Sequence, residues 1–301
     1  MEHSIAAGIS RLADPKISIA SLSSLFLGTA LAARDGALSV AWLAVTVAGI
    51  FALEIAKNAS GEIFDFVSDS AVRPEERTPF SGGKRVLVDG LLTRRKTAAI
   101  AAVGYFVAVA CGMAIVLWRE PAVLGLGLLG VAAAYFYNAP PVRLSYRGLG
   151  EIAVGICYGP LIACGTYLVQ RGTIAPSVVA VSLPLGLLIT AFLWVNELPD
   201  RRADESAGKR TLVVRLGARR ATVVFGGILA AAFALVFALP LGGLPLGLAF
   251  GLIAAVPAFF AARDSKKQVR DPARLASAQR LTLVTFLLFG AGSGAGALLR
   301  P

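Results

Sequence analysis

The run Ile174-Ala-Pro-Ser-Val-Val-Ala-Val-Ser-Leu-Pro-Leu-Gly-Leu-Leu-Ile-Thr-Ala-Phe-Leu-Trp-Val-Asn196-Glu-Leu-Pro-Asp200-Arg-Arg-Ala-Asp204 decides the fold. Up to Asn196 it carries no charge and is long enough, at about 1.5 Å per residue, to cross a hydrocarbon core as a helix. Asn196, Asp200 and Asp204 then follow at i, i+4 and i+8, so that one helical face leaves the membrane studded with oxygen ligands. The same arrangement occurs earlier in the chain. After an apolar run at 37–57, Asn58, Glu62, Asp65 and Asp69 fall at i, i+4, i+7 and i+11. Carboxylates stacked in this way repel one another, and oxygen-only ligands of this density suit magnesium, particularly magnesium shared with a phosphate-bearing substrate.

Working outward, 56% of the 301 residues are hydrophobic and only 16% charged, which describes an integral membrane protein. Uncharged runs of about 17 to 25 residues predict nine spans, near 17–33, 37–57, 97–117, 121–138, 149–170, 174–196, 220–240, 243–262 and 279–299. With the N-terminus inside, most of the 29 Lys and Arg fall on one side, including Arg11, the group from Arg73 to Lys96, Arg143, Arg147, the group from Arg201 to Arg220, and that from Arg263 to Arg280. Arg34, Arg119, Arg171 and Arg300 fall on the other side. The positive-inside rule makes the first side cytoplasmic, so both acidic motifs, in segments 58–96 and 196–219, face the cytoplasm of a multi-pass protein of the cell (inner) membrane.

The net charge of +11 sits in short loops, where it serves topology and anionic lipid contact rather than nucleic-acid binding. No cleavable leader is read in residues 1–16. Cys111, Cys157 and Cys164 lack metal spacing and read as small buried hydrophobes. His3 is the only histidine and lies in a terminal tail, so histidine acid–base chemistry and histidine metal ligation are excluded. Glycines inside spans, as in Gly125-Leu-Gly127 and from Gly290 to Gly296, suit close helix packing. Pro184 and Pro257 also fall within spans. The four-span separation of the acidic loops hints at an internal duplication.

One reading of each cluster is a set of solvated carboxylates at a membrane interface. The other needs opposite charges close together, and basic residues follow both clusters: Arg77-Thr-Pro-Phe-Ser-Gly-Gly-Lys84-Arg85 and Gly208-Lys209-Arg210. Carboxylates would bind magnesium, the ions a diphosphate, and Lys and Arg the remaining phosphate oxygens. Candidate phosphate contacts are Lys57, Arg77, Arg143, Lys209 and Arg210. A nucleotide-binding P-loop at Gly208-Lys209 is excluded because Ala203 stands where Gly is required and Arg210 where Ser or Thr is required. A second constellation, Tyr135-Phe-Tyr137-Asn-Ala-Pro140-Pro141-Val-Arg143-Leu-Ser-Tyr146-Arg147, reads either as a Pro-stopped helix with interfacial anchors or as a site. In the second case Arg143 meets the diphosphate and tyrosine rings such as Tyr137 face a developing carbocation.

Over essentially its whole length the chain resembles intramembrane prenyltransferases of the UbiA superfamily. Asn196-Glu-Leu-Pro-Asp200-Arg-Arg-Ala-Asp204 through Gly208-Lys209-Arg210-Thr211 to Gly217 is similar to the family's second aspartate motif. That segment, with Pro140-Pro141, Gly148-Leu-Gly150-Glu151 and Gly159-Pro160, looks most like the branch of 1,4-dihydroxy-2-naphthoate polyprenyltransferases of menaquinone synthesis. The resemblance implies an all-α membrane protein, nine transmembrane helices around a central cavity, forming a single domain over 1–301. It implies Mg2+ as cofactor, with Glu62, Asp65 and Asp69 holding one ion, Asp200 and Asp204 the other, and Asn58 and Asn196 supporting them. It also implies a prenyl diphosphate and a small aromatic acceptor as substrates, in contact with membrane lipid. A terpene cyclase, a transferase to a non-aromatic lipid and a cation-coupled transporter are the alternatives. The first motif departs from the family's Asn-Asp-x-x-Asp-x-x-x-Asp, since aligning Asp65 and Asp69 puts Gly61 at the Asn and Glu62 at the first Asp. Asn58, almost a turn earlier on the same face, is then the expected source of the amide.

Overall fold

A chain inside hydrocarbon must satisfy every backbone N–H and C=O internally, and uncharged runs of this length do so as helices. The computed structural model describes residues 5–268 and 271–299 and contains no strand among them. His3, Arg270 and Arg300 lie outside the described residues. In chain order the α-helices are α1 (Ile5–Ala13), α2 (Pro15–Asp35), α3 (Val40–Phe64), α4 (Phe66–Ala71), α5 (Arg94–Trp118), α6 (Val123–Phe136), α7 (Gly150–Ile156), α8 (Ile162–Arg171), α9 (Pro176–Ser206), α10 (Leu212–Ala238), α11 (Ala255–Gln268) and α12 (Ala276–Leu298). A π-turn, Cys157–Leu161, joins α7 to α8 around Pro160, and a 3-10 segment, Leu246–Ala254, leads into α11 just before Pro257.

Among the described residues seven helices are long and apolar enough to cross a membrane: α3, α5, the joined α7–α8, α9, α10, the segment Leu246–Lys267 and α12. The first expected span is α2, and the fourth is α6, apolar but only 14 residues long. Several expected ends move. α3 runs to Phe64 rather than 57 and α9 to Ser206 rather than 196. Hydropathy marks where the membrane stops, whereas the backbone hydrogen-bond ladder continues into polar surroundings. The acidic residues therefore stay wound on helical faces. The polar N-terminal segment also forms a helix, α1, which buries Leu12.

α9 is the central helix, with 67% of its apolar window buried against 17% for α3. It packs on α10, α12, α7 and the π-turn, while α3 pairs mainly with α5, and α12 with the 3-10 segment Leu246–Ala254 and then α2. Large apolar side chains such as Phe106, Trp118, Phe237 and Phe259 are exposed around the bundle, as lipid solvation requires. Close approach depends on missing side chains. A Cβ at Gly159 would lie 2.5 Å from the Cα of Gly186, and one at Gly296 would overlap the carbonyl oxygen of Gly247. Backbone cannot yield as a side-chain tip can. Gly296→Ala is therefore expected to cost about 1–3 kcal/mol, read as a lower midpoint of thermal denaturation in detergent. Gly125 and Gly127 do not follow the close-packing expectation, because no atom lies within 4 Å of a Cβ built there. Gly127 instead borders an open apolar groove.

The two ends of the bundle differ chemically. At one end Arg119 donates to the carbonyls of Val169 (2.8 Å) and Gln170 (2.9 Å), closing the last turn of α8, and Arg34 reaches Ser177. The other end gathers α1, α4, the loop after α4 and the α9–α10 connection.

Candidate functional site

α3 carries Asn58 and Glu62 on its last turns and ends at Asp65 (φ −98°, ψ 7°). The winding barely lapses. Asp65 N–H donates to Gly61 O at 2.8 Å and Asp69 N–H to Asp65 O at 2.9 Å, so α4 continues nearly the same face. From across the bundle α9 brings Asn196, Asp200 and Asp204. The two faces meet: Ser68 Oγ donates to Asp204 Oδ1 at 2.8 Å, and the Gly82 N–H donates to Asp200 Oδ2 at 2.9 Å. Between them lies a cleft of about 600 Å³ lined by Asn58, Glu62, Asp65, Asp69, Asp200 and Asp204. Asn196 lines an adjoining cleft of about 1120 Å³ that shares Asp200 and Asp204.

Lys209 occupies the middle of this acidic surround. Its Nζ is 3.6 Å from Asp65 Oδ2 and 3.5 Å from Asp204 Oδ1. Burial alone would drive its proton off, but Asp204 and Asp65 together hold its pKa well above the usual lysine value. Loss of hydration raises the pKa of Asp65, with Lys209 opposing, and raises that of Asp69 further, where Asp65 and Glu62 add repulsion. Burial, with Asp65 nearby, pushes the Tyr146 hydroxyl up to about 12, so it stays protonated and able to donate to Asp65.

Asp65 Oδ1, Asp200 Oδ1 and Asn196 Oδ1 are buried with no hydrogen-bond partner. Such acceptor-only atoms call for a donor or a cation, and an all-oxygen set fits magnesium. Among the described residues no three carboxylates stand close enough to form a ready cage. The set therefore suits an ion completed by substrate phosphate oxygens rather than one enclosed by protein.

The expected phosphate contacts divide. Lys57 and Tyr137 line both clefts, and Lys209 sits between the acidic faces. Arg143, in a left-handed conformation (φ 48°), stacks 3.5 Å from the centroid of Tyr146 and leaves its Nε buried without a partner. It lines neither cleft and reaches the site through Tyr146. Arg77 is not brought to the carboxylates but lines an outer cleft with Arg11, Asp14 and Lys84. Arg210 is exposed, and its backbone N–H donates to Tyr146 O at 3.1 Å. Neither loop direction could be read from charge. The sequence reading also passed over Lys84, which lines both clefts and is paired to Asp14, and Gly83 (φ 70°), where any Cβ would overlap the Asp69 carboxylate. The signal was present in Ser-Gly-Gly-Lys84: a flexible turn presenting a cation.

Asn58 lines the acidic cleft as expected, and a second amide joins it there. Asn58 Nδ2 is committed to the Leu12 carbonyl at 2.8 Å. A Cβ at Gly61 would lie 2.8 Å from Asn138 Nδ2, and Asn138 lines the same cleft, with its Oδ1 accepting from Ser145 at 2.7 Å. Asn138, just beyond α6, thus fills the space that a side chain at position 61 would take. Gly61→Asn alone is expected to lower the denaturation midpoint, and Gly61→Asn with Asn138→Gly to recover most of it, a coupling measurable by a double-mutant cycle.

The model of the UbiA prenyltransferase family matches residues 21–298. The chain belongs to this family. It is 32% identical over 211 residues to the 1,4-dihydroxy-2-naphthoate octaprenyltransferase of Escherichia coli K12, a match covering 67% of this chain and 66% of that protein. The fold is that of the apo UbiA homologue from Aeropyrum pernix K1, with TM-score 0.71 and 21% identity, over 91% of this chain and 96% of that one. It is also that of the Archaeoglobus fulgidus UbiA homologue bound to GPP and Mg2+, with TM-score 0.65 and 14% identity, over 96% and 98%.

In this UbiA-family chain the acidic cleft shares Lys57 and Tyr137 with an adjoining apolar chamber of about 600 Å³ between α3, α6, α7 and the π-turn. Ile50, Leu53, Gly130, Leu161 and Ile162 are shared between that chamber and a further apolar groove of about 710 Å³. Cys157 and Cys111 line these walls as free thiols. Polar cleft and apolar hollow together match an amphiphile with a charged head and a long hydrocarbon tail.

Proposed function

We propose that this prenyltransferase moves a prenyl group from an isoprenoid diphosphate to 1,4-dihydroxy-2-naphthoate, a step of menaquinone synthesis, with its acidic cleft and N-terminus on the cytoplasmic side of the cell membrane. The observation that carries the reading is the convergence of two carboxylate faces on a cleft that adjoins an apolar chamber. The name of the E. coli relative supports the acceptor. The ligands of the A. fulgidus homologue support the donor head and the metal.

The diphosphate lies in the cleft, where Lys209 and Lys84 offset its charge, and the isoprenoid tail lies in the apolar chamber and groove. Glu62, Asp65 and Asp69 would hold one magnesium, Asp200 and Asp204 another, with the amides of Asn58 and Asn196 supporting them. When bound, magnesium supplies Lewis-acid stabilisation of the departing diphosphate. The chamber excludes the water that would quench an allylic cation, and the Tyr137 ring offers its π-face without reacting.

The test is purified protein in detergent with magnesium, assayed against prenyl diphosphates of several lengths and a panel of aromatic acceptors. Prenylated naphthoate product with magnesium-dependent diphosphate release is the expected result. Cyclised hydrocarbon from donor alone would identify a terpene cyclase instead, and ion uptake into vesicles without diphosphate release would identify a transporter.

A further inference from the structure

Glu54 lies within the membrane-crossing length of α3, is 7% exposed and lines the apolar chamber. A carboxylate there is costly, and neither metal binding nor phosphate contact uses it. Ser21 on α2 donates to one of its oxygens, and the Tyr158 hydroxyl bonds to it from the π-turn. Lys57 follows almost one turn later, its Nζ 5.6 Å from the Tyr137 ring centroid and 6.0 Å from that of Tyr158. Lys57 and Tyr137 border the acidic cleft, the larger cleft and the chamber alike. An allylic carbon attached to a diphosphate in the cleft must pass this corner. The corner thus offers one amine, one carboxyl group and two aromatic faces.

We propose that Glu54, Lys57, Tyr137 and Tyr158 form the seat of the acceptor, Lys57 meeting its carboxylate and Glu54 its ring hydroxyl. This rests on the reading of the acceptor as a hydroxylated aromatic acid. Glu54 is then a catalytic residue that carries a proton out and back. The carbon–oxygen bond of the donor breaks with its electron pair on the diphosphate. A π pair of the ring forms the new carbon–carbon bond to the allylic cation, and the hydroxyl proton passes to the Glu54 carboxylate, leaving a ring ketone. The bond to the carboxylate on the same ring carbon then breaks, releasing carbon dioxide and leaving its electron pair as an enolate. The enolate oxygen takes the proton back from Glu54, which ends as it began. Lys57 selects for the carboxylate that departs.

Wild type, Glu54→Gln and Lys57→Met would be compared with 1,4-dihydroxy-2-naphthoate and with 1,4-naphthalenediol, which lacks the carboxylate. Affinity for the magnesium–prenyl diphosphate complex and the thermal midpoint would be measured in parallel. Glu54→Gln is expected to lower kcat by about 10²-fold or more at unchanged donor affinity. Lys57→Met is expected to raise the KM for the naphthoate about tenfold or more while leaving the KM for the diol alone. An unaltered kcat in Glu54→Gln, an equal KM change for both acceptors in Lys57→Met, or a weakened donor affinity in Lys57→Met would overturn the seat while leaving the naphthoate reading intact. If wild type releases diphosphate but prenylates neither acceptor, the naphthoate reading fails and the seat with it. Should Glu54→Gln not fold, Tyr158→Phe keeps the ring and removes the hydroxyl on Glu54. It should lower kcat at unchanged donor affinity, and a wild-type kcat there would overturn the seat equally.

Discussion

Asp200→Asn and Asp65→Asn, each in the purified protein, are expected to slow magnesium-dependent diphosphate release by about 10²–10³-fold, the scale on which a single preorganised electrostatic contact to a developing charge is lost. Each carboxylate has one buried oxygen without a protein partner, and the two stand on opposite walls of one cleft. Amidation preserves shape and removes charge. The accompanying stability result separates a metal ligand from a structural carboxylate. Without magnesium each variant should be no less stable than wild type, because one member of a crowded set of like charges has been neutralised. Addition of magnesium with a non-hydrolysable prenyl diphosphate analogue should raise the wild-type midpoint by linkage and raise the variants much less. Full turnover in both variants would end the assignment.

The second large effect is expected at Lys209. Its ammonium is the cation that the structure places between Asp65 and Asp204, and its side chain is only 16% exposed. Removing one partner of a buried charge cluster leaves the others uncompensated, at a cost of roughly 3–5 kcal/mol. Lys209→Met should therefore be markedly destabilised in chelator, as judged by thermal denaturation in detergent. Magnesium with the diphosphate analogue should restore more stability to this variant than to wild type, because the incoming cations replace the missing one. Turnover should remain low even where stability returns, since the phosphate contact is gone. A variant as stable as wild type in chelator would show that Lys209 is not the standing counter-ion.

Much of this was legible in order along the chain. Apolar run length marked the helices, and helical pitch put Asn196, Asp200 and Asp204, like Asn58, Glu62, Asp65 and Asp69, on common faces. These are local properties, fixed within a few turns. Whether two such faces meet is not local: Ser68 and Asp204, which join them, are 136 residues apart. Loop charge identified Arg77, Lys209 and Arg210 alike as cations near phosphate and passed over Lys84. Only the positive-φ turn at Gly82 and Gly83, and the short α9–α10 connection, turned Lys84 and Lys209 inward while Arg77 and Arg210 faced outward.

The sequence by itself determined a helical membrane bundle with two acidic helix ends, because hydrophobic length and side-chain pitch are written in consecutive residues. The tertiary structure alone decided that Asn138 fills the space beside Gly61, that Lys209 stands between the two carboxylate faces, and that Glu54 looks into an apolar chamber. Each of those depends on which side chains from distant helices come within a few ångströms of one another, and packing, not spacing along the chain, sets that distance.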